Sequence, residues 1–163
     1  IPLHSLDYDV VAAWLDTILE LDPRGHYPML VAARVYGSVS DDEKQRQMME
    51  YIFYKFNEDP NKHWRWLAHA VITAKHELKD MQLALKYAHA LTEKATGENV
   101  PYWARDMKII VLEDMGEVEA ANILVGGLIA SGEITDPYEL NFLQNKIQIL
   151  EEKLTKIRQD VDK

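Results

Sequence analysis

Apolar residues recur at helical spacing along almost the whole chain, and every interruption is a short turn signal. The first such segment reads "LDYDVVAAWLDTILELDP", with Val10, Val11, Trp14, Leu15, Ile18 and Leu21 as one stripe. Asp7 or Asp9 suits its start and Pro23 its end. "YPMLVAARVYGSV" follows, stopping near Gly37 and Ser38, then "SDDEKQRQMMEYIFYKF", where Ser40 and Glu43 have the spacing of a capping box. "WRWLAHAVITAKHELKDMQLALKYAHAL" reads as two helices turning near Lys79 and Asp80. "PYWARDMKIIVLEDM" is a sixth helix with Pro101 in its first turn, and Gly116 separates it from a seventh, "EVEAANILVGGLIASG". Asp136 and Pro137 open a long last helix reaching about Gln159. No alternating run of useful length exists, so the expected class is all-α.

Composition narrows function. At 163 residues and 47% hydrophobic content, one domain with a real core is expected. A net charge of −9 argues against a duplex nucleic acid partner. The longest apolar run, Ile123 to Ala130, is far too short for membrane insertion by this segment. Without cysteine, disulfides, zinc–thiolate sites and thiol nucleophiles are excluded, and the compartment stays open. A chain starting at Ile1 rather than methionine reads as a soluble domain, cytoplasmic or periplasmic, cut from something longer such as an anchored or exported protein.

The helices recur in pairs. "LELDP" ends at Pro23 and "FNEDP" at Pro60, and each is followed by an aromatic-rich helix: Tyr27 after the first, Trp64 and Trp66 after the second. "LKDMQLALKYAHAL" and "MGEVEAANILVGGL" place small residues, Ala84 with Ala88 and Gly116 with Ala120 or Ala121, where neighbouring helices approach. This pattern resembles the tetratricopeptide repeat family over residues 7 to 135. The resemblance implies a TPR-like α-α superhelix of about three helix pairs spanning 1–135. Its A helices would line a concave face that binds peptides or protein segments, and a long C-terminal helix would occupy 136–163.

That last helix carries Leu140, Leu143, Ile147, Leu150, Leu154, Ile157 and Val161 at alternating spacings of three and four, a heptad pattern. Two readings stand: a cap on the last repeat, and a coiled-coil homodimer. A helix of about 22 residues runs ~33 Å against ~21 Å for a repeat helix of about 14 residues, so a cap would overhang. The charges at Lys146, Glu151, Lys153 and Arg158 choose neither.

No catalytic set emerges. His63, His69, His76 and His89 lack metal-ligand spacing; His76 with Asp80 is i, i+4 but lacks a third ligand, so no metal or cofactor is expected. The adjacent acids Asp41–Asp42 and Glu113–Asp114 read as helix ends rather than acid/base pairs. Trp64, Trp66 and Trp103 read as wedges between repeats, and Gly126 with Gly127 as a site of close packing against the C-terminal helix.

Charge is sorted by helix type. The A segments 24–38, 61–77 and 101–112 carry seven basic against two acidic side chains, net +5. Residues 7–22 and the B segments 41–57, 80–94 and 117–133 carry five basic against fourteen acidic, net −9. On the middle A helix, Arg65, His69, Thr73, His76 and Asp80 form a polar stripe opposite Leu67, Ala70, Val71, Ala74 and Leu78. An ordinary solvated face would look the same; where A helices face a groove, the two coincide. The expected function is a non-enzymatic scaffold binding an acidic or C-terminal-carboxylate segment, with Arg65 and Arg105 as anchors and Arg34, Lys108, His69, Thr73 and His76 beside them. The histidines would make affinity rise toward pH 6. The alternative is a structural assembly subunit that self-associates through the C-terminal heptads.

Overall fold

The computed structural model describes residues 1–163 and is all-helical. Nine α-helices follow in order: α1 (Tyr8–Leu21), α2 (Tyr27–Arg34), α3 (Asp42–Glu58), α4 (Pro60–His76), α5 (Met81–Lys94), α6 (Tyr102–Arg105), α7 (Met107–Asp114), α8 (Val118–Ser131) and α9 (Pro137–Val161). Each packs on a sequence neighbour across a short turn, and helices two apart also meet: α1 with α3, α2 with α4, α4 with α6, α5 with α7. No helix is long and apolar enough to cross a membrane.

Local chemistry explains most boundaries. Asp7, Asp41, Asp59, Asp80 and Asp136 cap five helices by accepting backbone N–H groups. At α3 the cap is Asp41, which accepts from Lys44 N–H at 3.1 Å, so the cap lies one residue after Ser40 and, with lysine at the third position, the expected box does not form. Pro101 precedes α6 as its N-cap rather than sitting in its first turn. Gly116 turns the chain between α7 and α8 at φ 78°, where an L side chain is strained. The α4–α5 turn uses Lys79 at φ 51° without a glycine.

Two segments depart from expectation. α1 buries Tyr8, Val11, Leu15 and Leu19, leaving Val10, Trp14 and Leu21 exposed. The helix is apolar on more than one side, so periodicity alone does not choose which stripe goes inside. The sixth helix is two: it breaks at Asp106, whose ψ of 4° ends α6 before α7 begins. Asp106 is buried with Glu139 of α9, so a helix-compatible local sequence is interrupted by a contact 33 residues away.

The core has two parts. The larger runs beneath α1 to α6, around Leu15, Met29, Met48, Ile52, Leu67 and Tyr87. The smaller joins α7, α8 and α9 through Ile109, Leu112, Val125, Leu143 and Leu150, and Leu85 of α5 touches both. α9 begins at Pro137 behind the Asp136 cap and shares this smaller core with α7 and α8. Leu143 and Leu150 are fully buried, Ile147 and Leu154 pack around them, and Leu140 is half-buried. Ile157 and Val161 lie beyond, 48% and 80% exposed. With 25 residues, α9 is ~37 Å long against ~21 Å for α8, which gives the overhang. Lys146 and Lys153 turn to Glu113 of α7 at 2.9 and 2.6 Å, inside the molecule. Burial by itself would raise the Glu113 pKa, but the two lysines hold it below the ordinary range. The glycines do not fit the close-packing expectation: a Cβ on Gly126 would meet Ile147 Cδ1 at an ordinary 3.6 Å, and one on Gly127 would meet nothing.

Candidate functional site

α2 and α4 lie side by side, and their outward positions converge on one recess. Leu30 and Arg34 come from α2; Arg65, Trp66, His69 and Ile72 come from α4; α6 adds Trp103. They line a cavity of about 340 Å³. Leu30, Ile72 and Trp103 are 42%, 47% and 50% exposed, so the recess is apolar between its charges. Trp103 is therefore only partly the wedge expected from sequence: its ring meets Trp64 edge-on at 5.5 Å, while Trp64 and Trp66 are buried.

The cations here are free. Neither Arg34 nor Arg65 forms an ion pair, although eight other basic side chains of this acidic chain do. Arg65 instead rests over the Trp64 ring at 5.6 Å, an arrangement that holds the guanidinium flat while leaving its N–H groups available. His69 is held below its ordinary pKa, first by burial and then by the Arg34 charge, against a smaller opposing pull from the Ala33 backbone.

The remaining sequence-derived residues do not gather here. Thr73 is 2% exposed and belongs to the α4 interior, because the helix is covered on a wider arc than its apolar stripe implied. His76 is exposed at the end of α4, away from the recess. Arg105 pairs with the buried Glu139 of α9 at 3.4 Å, and Lys108 Nζ lies 3.0 Å from His89 Nδ1 of α5. Arg105 is tied to α9 and Lys108 lies against α5, and neither lines this recess. Leu30, Ile72 and Trp103 were missed as lining residues because they read as core. An aromatic at the entry to a helix is the one signal that marked Trp103.

A second cavity, of about 310 Å³, adjoins the first through shared walls, Arg65 and Trp66. His26, Asn61, Lys62, Trp64 and Asn99 complete it. The loop after α5 is stapled to the start of α4 at this point: Gly97 N–H donates to Asn61 Oδ1 at 2.8 Å, and Asn99 Nδ2 donates to the Asn61 carbonyl at 2.7 Å. A Cβ on Gly97 would sit 2.7 Å from Asn99 Oδ1 and 2.8 Å from Asn61 Cγ, so a larger residue there would push these two side chains aside.

Comparison with protein-family models, with curated proteins and with solved structures finds no match for this chain.

Proposed function

We propose that the chain is a non-enzymatic interaction scaffold of tetratricopeptide-repeat type, in which α2, α4 and α6 present a groove to an acidic segment of another protein. The observation that supports this is the recess itself: two unpaired arginines and a histidine around exposed Leu30, Ile72 and Trp103. Such a surface holds a carboxylate through the arginine forks and an adjacent apolar side chain through the rings. The packing of every helix on its sequence neighbours, with α1 on α3, α2 on α4, α4 on α6 and α5 on α7, is compatible with a repeat array.

Arg34 and Arg65 replace the pair Arg65 and Arg105 as the anchors. The test is a peptide library with fixed acidic or free C-terminal carboxylate positions, screened on the chain and on Arg34→Glu/Arg65→Glu. Each lost charge-assisted contact is worth about 1.5–3 kcal/mol, so the double variant should bind at least about 100-fold more weakly. Both side chains are exposed, and the circular dichroism spectrum should not change. Equal binding by the variant would remove the groove reading.

The self-associating alternative is left with the turns of α9 after Leu154, where Ile157 and Val161 are exposed. The heptad positions before them, and Lys146 and Lys153, are engaged within the chain.

A further inference from the structure

The second cavity is built almost entirely from donors and positive charge. Lys62 and Arg65 stand one turn apart on α4, neighbours on one face, and no carboxylate pairs with either. Two like charges so placed repel, and stability alone gives no reason for the pairing. Asn61 has its Oδ1 occupied by Gly97 N–H, so what it has left to offer is its amide NH₂. His26 contributes an imidazole from the start of α2. Trp66 in the shared wall is 7% exposed, and its indole N–H has no partner. The first turn of the 17-residue α4 lies here too, so the positive end of its dipole adds to the field. No acid lines the cavity, and the N-cap Asp59 accepts the Lys62 backbone N–H.

A cavity of donors wants a ligand of acceptors. A carboxylate supplies two oxygens and one negative charge. A phosphate monoester supplies three oxygens and a charge of about −1.5 to −2, which matches two cations, an imidazole and an amide. We propose that the cavity at the start of α4 holds a phosphate monoester carried on a serine or threonine of the segment lying in the groove. The proposal rests on the groove reading, because the two cavities share Arg65 and Trp66 and one extended chain would cross both. A phosphorylated segment fits better than an anionic membrane, since a surface of net charge −9 is repelled by a negative bilayer. The apolar recess would then take a side chain beside the phosphorylated residue.

The test is a peptide library with phosphoserine fixed at its centre and degenerate flanks, beside libraries fixed with serine and with glutamate, all screened on the full chain. The phosphoserine library should be captured about tenfold or more above the other two, a difference of about 1.4 kcal/mol. Lys62→Glu should bring it down to the serine level. That variant will fold, because an acid in the first turn of a helix is favourable. Equal capture of the three libraries, all lost in Arg34→Glu/Arg65→Glu, would overturn the phosphate and leave the groove. No capture of any library overturns both. A parallel arm uses vesicles of phosphatidylcholine with phosphatidylinositol phosphate. Co-sedimentation that Lys62→Glu abolishes, with no phosphoserine preference, would assign the cavity to a lipid headgroup and refute the segment.

Discussion

Asp106→Asn should make the protein more stable at and above neutral pH, with the gain shrinking as pH falls and vanishing below about pH 4. Asp106 sits at the break between α6 and α7, 5% exposed, with Glu139 beside it at 4%. Burial, followed by the Glu139 charge and a hydrogen bond to it, pushes the Asp106 carboxyl up from 3.8 to about 7, against the smaller pull of Arg105. Its Oδ2 has no hydrogen-bond partner. The folded state therefore holds a proton that the unfolded chain has released between pH 4 and 7. Stability falls as pH rises through that window. At about 1.4 kcal/mol per pH unit, full ionisation opposes folding by up to about 4 kcal/mol, and sharing of the proton with Glu139 reduces this to about 2–4. Asparagine keeps the shape of the protonated acid and cannot ionise. Urea unfolding followed by circular dichroism at pH 3.5, 5, 6, 7 and 8 reads the difference. The two proteins should coincide at pH 3.5, below the unfolded value, diverge through pH 4 to 7 and stand about 2–4 kcal/mol apart at pH 8, with the variant flatter. Parallel pH profiles would refute the argument, since they would mean that Asp106 ionises alike in both states.

Gly127→Ala fills open space on an exposed face of α8 and should stabilise by up to about 1 kcal/mol, seen as a rise of a few degrees in Tm. Removing residues 137–163 uncovers Ile109, Leu112 and Val125 and should abolish cooperative melting, whereas removing only 158–163 should leave Tm unchanged. Light scattering on the full chain should report a monomer, because α9 spends its heptads on α7 and α8.

Helices were legible because their signals are local: apolar spacing, aspartate caps, and glycine or proline at turns. What the sequence hid was set by distant partners. The break at Asp106 depends on Glu139, and nothing in "ARDMKII" announces it. Arg105 is indistinguishable in sequence from Arg65, yet one is tied to Glu139 and the other is free. The doubly apolar α1 offered two stripes, and its packing partners chose Val11, Leu15 and Leu19. Thr73 looked solvent-facing because a small hydroxyl is tolerated inside as readily as outside. Arg34, Arg65 and His69 were found because the alternation of helices put α2 and α4 on one side, and Leu30 and Ile72 were missed because an exposed aliphatic reads as core.

Three of the four indoles, Trp64, Trp66 and Trp103, line the recess or the cavity that adjoins it, and the fourth, Trp14, stands apart on α1. Replacing Trp14 with phenylalanine would leave an emission spectrum that reports on those two cavities alone. Trp103, half in water, would shift to the blue when anything covered it, so the molecule can signal occupancy with no attached dye.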